Sequence, residues 1–288
     1  MSPFQRTRLA GHCSPMPIDP RDKPRNAINR GVLWALVVLG ACSRAATPPP
    51  APRPVAAPTI SDGHGVLRAM HSRYAGRWYS SVEIALSNTL YGTDGRQTRS
   101  NWRELLGVPA RQRIDYLPLE QQSGVLYVDG RIYSFVNGKQ SATQQGRNPL
   151  AILVADVYAQ PVDSTVHQLD SLGFDLDKVR EDFWGGDRVW VVGATAGDST
   201  THQFWIDRDS LLVERVIQRT NQGARTIISD VRFTRYSDVG GFPIAREMQI
   251  YRDGRLVLHQ NYSDVKVNVA LPRELFDPAK FASPPSIP

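Results

Sequence analysis

Tight-turn dipeptides divide most of the chain into short segments. Asp94-Gly95, Asp129-Gly130, Asn137-Gly138, Gly185-Gly186 and Asp253-Gly254 lie in a stretch where apolar and polar residues alternate. Asp-Gly and Asn-Gly favour the turns of two-residue β-hairpins, because both central positions take positive φ. A chain with several such turns folds into sequential antiparallel strands. We therefore expect a mainly β (α+β) protein.

The alternating pattern predicts about eleven strands joined by short loops. Strongly twisted sheets of that size curl or close, and rarely stay flat. We therefore expect an eleven-stranded antiparallel half-barrel with helices covering its concave face. The predicted strands lie near residues 77–91, 96–104, 110–116, 124–136, 179–184, 188–194, 201–207, 211–219, 225–236, 242–251 and 255–267.

Helical periodicity interrupts the strands at three places. A first helix is expected over residues 61–76. Asn148 is a favoured N-cap residue, and Pro149 suits the first turn of a second helix, which Pro161 ends. A third, short helix is expected over residues 163–173. These helices are amphipathic, so we expect them to lie across an apolar surface.

The predicted strands carry apolar side chains on one face. Two interpretations of this face stay open: a filled core packed against the helices, or an incompletely filled concavity that accepts an acyl chain. Arg246 follows the alternation of its strand, and it either contacts the anionic head group of a ligand or extends into water. The predicted cavity residues are Leu150, Val154, Phe204, Ile206, Val231, Phe233, Ile244, Met248 and Ile250.

The N-terminal segment has the three parts of an export signal. Basic residues precede an uncharged apolar run over 31–41, which is far shorter than the ~20 residues of a membrane-spanning helix. Leu39-Gly40-Ala41-Cys42 resembles the bacterial lipobox, in which the signal is cut before a cysteine that carries diacylglycerol. An ordinary cleaved signal with a chance cysteine is the alternative. Translation from Met16 would give a signal of more usual length.

These features divide the chain into four parts. We expect a lipoprotein signal peptide over 1–41, the lipidated Cys42 with a proline- and alanine-rich linker over 42–60, a folded domain over 61–281 and a disordered tail over 282–288. Six prolines between residues 43 and 60 predict a stiff, extended spacer.

Cysteine content and charge narrow the function classes. Cys13 lies in the signal and Cys42 is lipidated on this interpretation, so no disulfide stabilises the domain. Residues 1–41 hold six of the 34 Lys and Arg and two of the 28 Asp and Glu, so their removal lowers the formal charge from +6 to +2. We see no basic cluster with interleaved aromatic residues, and we expect no nucleic-acid partner.

Three segments resemble successive signatures of the outer-membrane lipoprotein-sorting family, the LolA/LolB-like superfamily that also includes RseB-type sensors. They are "HQFWIDRDSLLVERVI" (202–217), "DVRFTRYSDVGGFPIAREMQIY" (230–251) and "DVKVNVALPRELFDP" (264–278). The segment 173–194 fits the hairpin that precedes the first of them. The resemblance covers about residues 170–280, and it covers the first half of the domain only through the order of its elements.

The resemblance implies an eleven-stranded half-barrel closed by helices, whose hydrophobic cavity binds acyl chains of lipoproteins or other lipids. It implies no metal, nucleotide, other cofactor or covalent catalysis. Carrier members are soluble in the periplasm, whereas the lipidated Cys42 favours a membrane-fixed receiver, lipid binder or envelope sensor. We therefore expect a monomeric protein on the outer membrane that faces the periplasm. Its expected partners are the membrane and a lipid or acylated lipoprotein.

One alternative function keeps the fold and changes the ligand. An envelope sensor or structural module would have a filled half-barrel and would bind an envelope protein.

Enzyme chemistry finds little support in the residue pattern. His64, His71, His167, His202 and His259 form no HExxH motif and no close ligand pair. The chain has no Gly-x-Ser-x-Gly elbow and no phosphate-binding loop. We therefore expect no catalytic residues and no metal ligands.

Overall fold

The computed structural model describes residues 60–287, and the expectations for the signal, Cys42 and the linker up to residue 59 lie outside this range. The described helices are α1 (Gly63–Tyr74), α2 (Pro149–Val154) and α3 (Val162–Ser171). The described strands are β1 (Ser81–Tyr91), β2 (Gln97–Gly107), β3 (Arg111–Tyr116), β4 (Ser123–Val128), β5 (Arg131–Val136), β6 (Lys139–Gln145), β7 (Val179–Trp184), β8 (Asp187–Val192), β9 (Gln203–Asp207), β10 (Val213–Gln222), β11 (Arg225–Thr234), β12 (Ser237–Val239), β13 (Phe242–Ile244), β14 (Glu247–Arg252) and β15 (Arg255–Val267).

Thirteen of these strands form one open antiparallel sheet. Their order is β6-β5-β4-β3-β2-β1-β15-β14-β11-β10-β9-β8-β7, and β12 and β13 form a separate hairpin. The last strand, β15, pairs with the first strand, β1, so the two meanders meet in the middle of the sheet. The two free edges therefore belong to β6 and β7, which are consecutive in sequence. The expected mainly β half-barrel is confirmed.

All five predicted turns join neighbouring strands, although Asp94-Gly95 lies in a longer connection, over residues 92–96, in which Gly95 alone of the two has positive φ. Asp129 and Gly130 both have positive φ, as do Asn137 and Gly138, and each pair joins neighbouring strands. The prediction of one strand over 124–136 is wrong, because the Asp129-Gly130 turn divides it into β4 and β5. The prediction of one strand over 242–251 is also wrong, because β13 pairs with β12 in the separate hairpin and the chain joins the large sheet only at β14. The count rises from eleven to fifteen strands in the described range.

The helices begin close to their predicted positions. The Asn148 side chain accepts a hydrogen bond from the Leu150 N–H (3.0 Å), and Pro149 occupies the first turn of α2. The α-helix ends at Val154, earlier than predicted, and a 3-10 turn follows over Asp156–Tyr158. None of the helices between residues 60 and 287 combines the length and apolar character that crossing a bilayer requires.

Helix α1 packs tightly against β8 and against the segment that precedes β7. Asp62 caps it by accepting from the Gly65 N–H (2.7 Å), and Gly63 donates its own N–H to the Leu176 carbonyl (2.7 Å). A Cβ atom at residue 63 would lie 2.5 Å from Cγ1 of Val192, so only glycine permits this approach. Val66, Leu67 and Met70 are then fully buried.

The concave face of the sheet and the helices form the main core. The segment between β6 and β7, residues 146–178, must run from one edge of the sheet to the other, and it carries α2 and α3. We call it the crossing segment. Its buried side chains pack against the concave face together with those of α1; the shared cluster includes Leu67, Met70, Ile152, Leu153, Tyr158, Leu169, Phe204, Val216 and Phe233.

A second core covers the convex face of β2 to β5. Leu275, Phe276 and Phe281 of the C-terminal segment pack against Leu105, Leu126 and Phe135, and the rings of Phe135 and Phe281 stack at 3.9 Å. The residues that follow, predicted to form a disordered tail, also contact the domain. The Ala282 carbonyl accepts from Gln122 (2.7 Å), and Ile287 packs against the same cluster.

Arg113 fixes this C-terminal segment to the sheet. Its guanidinium forms an ion pair with Asp115 (2.8 Å), and it donates to the carbonyls of Leu275 (3.0 Å) and Phe281 (2.9 Å). The side chain is 3% exposed. It also lies over the Phe281 ring, 4.2 Å from the centroid. One buried side chain therefore links β3 to the C-terminal segment at both Leu275 and Phe281.

We predict that Arg113→Met destabilises the domain by about 2–3 kcal/mol, because two buried carbonyls lose their donor while Asp115 keeps its ion pair with Arg103. The free energy of unfolding, measured by urea denaturation, checks this value. The matched control is Arg96→Met, since Arg96 pairs with Asp94 but is 87% exposed. The control should change stability by less than about 0.5 kcal/mol. Equal losses in both variants would contradict the role given to Arg113.

Candidate functional site

A cavity of ≈ 320 Å³ lies between the half-barrel and helix α2. This volume falls at the lower end of the range of about 300–1,000 Å³ for small-molecule sites. One wall comes from β2, β3 and β4, a second from α2, and the third from β11, β14 and β15. Apolar lining residues from the three walls include Leu106, Ile114, Val125, Leu150, Val154, Phe233, Met248, Ile250 and Leu258. We call this the larger cavity.

A smaller cavity of ≈ 60 Å³ adjoins the larger one. Glu104, Leu106, Val154, Phe233 and Tyr262 line both. The remaining wall of the smaller cavity is rich in aromatic rings, and it includes Trp78, Tyr79, Tyr158 and Tyr236.

Six of the predicted cavity residues line one of these two spaces. Both α2 residues and three of the strand residues line the larger cavity: Leu150, Val154, Phe233, Met248 and Ile250. Ile244 lines the smaller cavity.

Three predicted residues lie elsewhere on the concave face. Phe204, Ile206 and Val231 are fully buried in the main core and line neither cavity. They face helices α1 and α3, so the helices fill the concavity on the β8–β11 side and leave it open near α2.

Arg246 lies at the outside of the fold. It lines a wide cleft of ≈ 650 Å³ with Arg235, and it donates to the Ser263 carbonyl (3.3 Å). Tyr236 and Tyr262 line both this cleft and the smaller cavity. We call it the outer cleft. It places two arginines within one side chain's width of the smaller cavity, on the outer side of Tyr236 and Tyr262.

The sequence analysis did not predict the cavity wall that β2, β3 and β4 form in the first half of the domain. Trp102, Glu104 and Leu106 alternate along β2 and face the larger cavity, while Arg103 and Leu105 lie on the opposite face. The signal was present in "NWRELLG", because a charged residue on an otherwise apolar face is unusual. The missed polar lining residues also include Gln112, Asn148 and Gln260.

A relay of side-chain hydrogen bonds connects α2 to the wall of the cavity. Asn148, the N-cap of α2, donates to Oε1 of Gln112 (2.8 Å), and Gln112 donates to Oε1 of Glu104 (2.6 Å). The relay ties the start of the crossing segment to β3 and β2. The position of α2 is therefore linked, through these two hydrogen bonds, to the protonation state of the Glu104 carboxyl.

Glu104 occupies an apolar environment. Its neighbours in register are Ile84 on β1 and Ile114 on β3. Burial raises the pKa of Glu104, while the hydrogen bond from Gln112 acts in the opposite direction. Within residues 60–287, no lysine or arginine forms an ion pair with it. The cavity thus holds a carboxyl group without a cationic partner.

A second buried carboxyl fixes the crossing segment. Asp156 follows α2 directly, is 4% exposed, and accepts a hydrogen bond from the Ala110 N–H (3.0 Å). Burial raises the pKa of Asp156 to about 6, against the lowering effects of the Ala110 hydrogen bond and of Arg147. Burial also raises the pKa of Glu214 to about 7, and the negative charges of Asp207 and Asp187 add to this shift.

We predict that the domain is most stable near pH 4 and loses stability as the pH rises from about 4 to about 7. Below about pH 4 the carboxyls with lowered pKa, such as Asp198 and Asp230, lose their stabilising charge. A carboxyl with a raised native pKa binds its proton more strongly when folded, so it stabilises the fold below its unfolded pKa. For Asp156 the loss amounts to at most ~3 kcal/mol between about pH 4 and pH 6.

Urea denaturation across this pH range checks the prediction. Asp156→Asn keeps the acceptor for Ala110, and it should remove the Asp156 share of the slope while the Glu214 share remains. A wild-type pH profile that the substitution leaves unchanged would show that Asp156 does not titrate in this way.

The described part of the chain shows no metal-binding site. No group of three or more His, Cys, Asp or Glu side chains between residues 60 and 287 is arranged to hold an ion.

These elements define a class of fold, an open antiparallel half-barrel with a helical cover and an internal apolar cavity. The amino-acid sequence matches no protein-family model and no curated protein sequence. Solved structures share the fold at low identity. A domain described as an outer membrane lipoprotein-sorting protein from Vibrio parahaemolyticus superposes with a TM-score of 0.52 at 11% identity, over 76% of this chain and 98% of that chain.

Two further structures are similar. A LolA superfamily protein from Nitrosomonas europaea gives a TM-score of 0.46 at 12% identity, over 73% of this chain and 96% of its own. A DUF1329 family protein from Desulfovibrio piger gives 0.49 at 12% identity, over 75% and 95%. The Vibrio domain confirms the fold that the resemblance to the lipoprotein-sorting superfamily implies. At this identity the likeness establishes the fold, and function must be argued from the cavity.

Proposed function

We propose that this protein binds the acyl chain of a lipid or an acylated lipoprotein inside its half-barrel. The larger cavity carries the proposal, because ≈ 320 Å³ of space lies between apolar side chains of the sheet and of α2. The apolar side chains suit the hydrocarbon part of a ligand, and the polar lining residues, among them Glu104, Gln112 and Gln260, add groups that can orient it. The similar Vibrio domain supports the proposal, since its name assigns it to lipoprotein sorting.

The proposal includes a location. The lipobox-like segment supports a lipid anchor at Cys42. The proline-rich stretch that follows would form a spacer about 50 Å long. Two acyl chains on one cysteine give stable membrane attachment, which a single chain does not. We place the protein on the periplasmic face of the outer membrane, where a role as receiver in lipoprotein sorting needs no shuttling. On this account the protein is a monomer, and it performs no catalysis.

The outer cleft is the proposed position of the ligand's outer end. Arg235 and Arg246 both line it, and an anionic head group there would remain accessible to water. Arg235 already approaches Glu247 (3.7 Å), so Arg246 is the freer of the two cations. The cleft shares Tyr236 and Tyr262 with the smaller cavity, which gives a chain a short path inward.

Native mass spectrometry of the protein after gentle purification tests the central claim. We expect a fraction of the molecules to carry a lipid or detergent mass. Uniform absence of bound mass, together with no binding of added long-chain alkyl probes, would overturn the proposal.

We predict that Leu150→Trp weakens the binding of a long-chain alkyl probe at least tenfold. Leu150 lies on α2 and lines the larger cavity, so the larger indole fills space that the ligand needs. Val136→Trp is the matched control, because Val136 is 54% exposed and lies outside the cavity. Titration with a fluorescent alkyl probe measures both affinities. Equal affinities for the two variants would place the ligand elsewhere.

A protein partner is the second candidate function. Edge strand β7 leaves one side of its backbone unpaired in the sheet, and it presents Phe183, which is 68% exposed. Such edges accept an added strand from a partner. A photo-reactive amino acid in place of Phe183 should then form adducts with one envelope protein in cells, whereas the same probe at Val136 should not.

A further inference from the structure

Glu104 is the feature of the cavity that a plain acyl chain does not explain. It lines both cavities, so its carboxyl lies where they meet. Gln112 donates to Oε1 (2.6 Å), and no described residue donates a hydrogen bond to Oε2. A hydrocarbon chain packed beside this group would leave it without a partner, which costs free energy.

Aromatic rings surround the junction where Glu104 lies. The smaller cavity is lined by Trp78, Tyr79, Tyr236 and Tyr262, and the larger cavity adds Trp102 and Tyr127. The hydroxyl group of Tyr127 makes no hydrogen bond with any described residue, and that of Tyr262 has only the Met248 sulfur at 4.0 Å. A carboxylate among aromatic side chains and phenol oxygens is the chemistry that binds organic cations.

The protein supplies no cation of its own to this position. Among the residues that line the larger cavity, Arg252 carries the one formal positive charge, and it lies at the exposed end of β14. Burial raises the pKa of Glu104, so the surroundings of this carboxyl disfavour its charged form. A ligand ammonium would restore that charge, since opposite charges attract strongly in a medium of low dielectric constant.

We propose that Glu104 and the aromatic side chains around it form a subsite for a protonated amine, so that the ligand is an amphiphile with its ammonium group bound inside the half-barrel. This inference rests on the proposed function, because it assigns a ligand class to the same cavity. The ammonium donates hydrogen bonds to Glu104 and the phenol oxygens, and the alkyl chain occupies the apolar remainder of the larger cavity. A ligand that also carries an anionic group would place that group beside Arg246 in the outer cleft.

The test compares two probes of equal length on the purified full chain. Dodecylammonium and dodecanol differ in one polar group, and both are used below the concentrations at which they aggregate. We expect wild-type protein to bind dodecylammonium at least tenfold more tightly than dodecanol by calorimetric titration. Equal affinities would overturn the inference and leave the proposed function standing. Binding of neither probe would overturn both.

Glu104→Gln isolates the charge from the structural role of the residue. Glutamine keeps an acceptor for Gln112, so the relay to Asn148 and α2 can persist. We expect the variant to bind the two probes with a ratio near one, in place of the tenfold preference of the wild-type protein.

The matched control is Glu83→Gln. Glu83 lies on the neighbouring strand β1, on the opposite face of the sheet, where its carboxylate approaches Lys266 (3.5 Å). This variant should keep the wild-type preference for dodecylammonium. A preference that survives in Glu104→Gln, or that is lost in Glu83→Gln, would show that Glu104 does not bind the amine.

Discussion

The open sheet is the constraint on which the rest of the structure depends. Because β15 pairs with β1, the two free edges belong to β6 and β7, and the chain between them must cross the whole concave face. The sheet topology alone therefore makes the crossing segment cover the concave face. Its amphipathic helices bury their apolar faces against the sheet, and they have no other apolar surface to meet.

The cover is tight on one side and loose on the other. Side chains of α1 and α3 form one buried cluster with Phe204, Ile206 and Val231, and these three strand residues line neither cavity. Beneath α2, which has six residues, a cavity remains between the helix and the β2–β4 wall, although Asn148 at the start of the helix contacts Gln112 of that wall. A dry void costs stability on the order of 20 cal/mol per Å³, so a chain that keeps such a space forgoes packing that a ligand can supply. The Asn148–Gln112–Glu104 relay holds α2 over this space.

Local turn chemistry explains why much of the fold could be predicted from the sequence. The Asp-Gly and Asn-Gly turns require positive φ and so fix the hairpins, and Asn148 with Pro149 fixes the start of α2. Strand β6 escaped prediction because "KQSATQQ" is polar and exposed throughout, and a pattern-based search needs a buried face. The break at residues 245–246 escaped because strand continuity is decided by partners far away in sequence. Long-range packing likewise brings Leu275 and Phe281 onto the convex face, where no periodicity reports it.

Only part of the site was predicted, because long-range packing also decides which apolar residues line a cavity. Alternation in β11 and β14 identified Phe233 and Met248, yet it could not separate them from Val231, which is equally apolar but lies under the helices. Whether a residue faces packed side chains or open space depends on how far a helix reaches. Glu104 was overlooked because a single carboxyl carries no motif, although its place among apolar neighbours on β2 is legible.

The central claim is that a hydrocarbon chain lies between the half-barrel and α2. Isotope-edited nuclear Overhauser measurements on the methyl-labelled protein with a bound dodecyl probe test this directly. The account predicts contacts from the methylene protons to the methyl groups of Leu106, Ile114, Val154 and Met248, which line the larger cavity. Contacts confined to exposed methyl groups, such as those of Leu90, Leu119 and Val136, would contradict it.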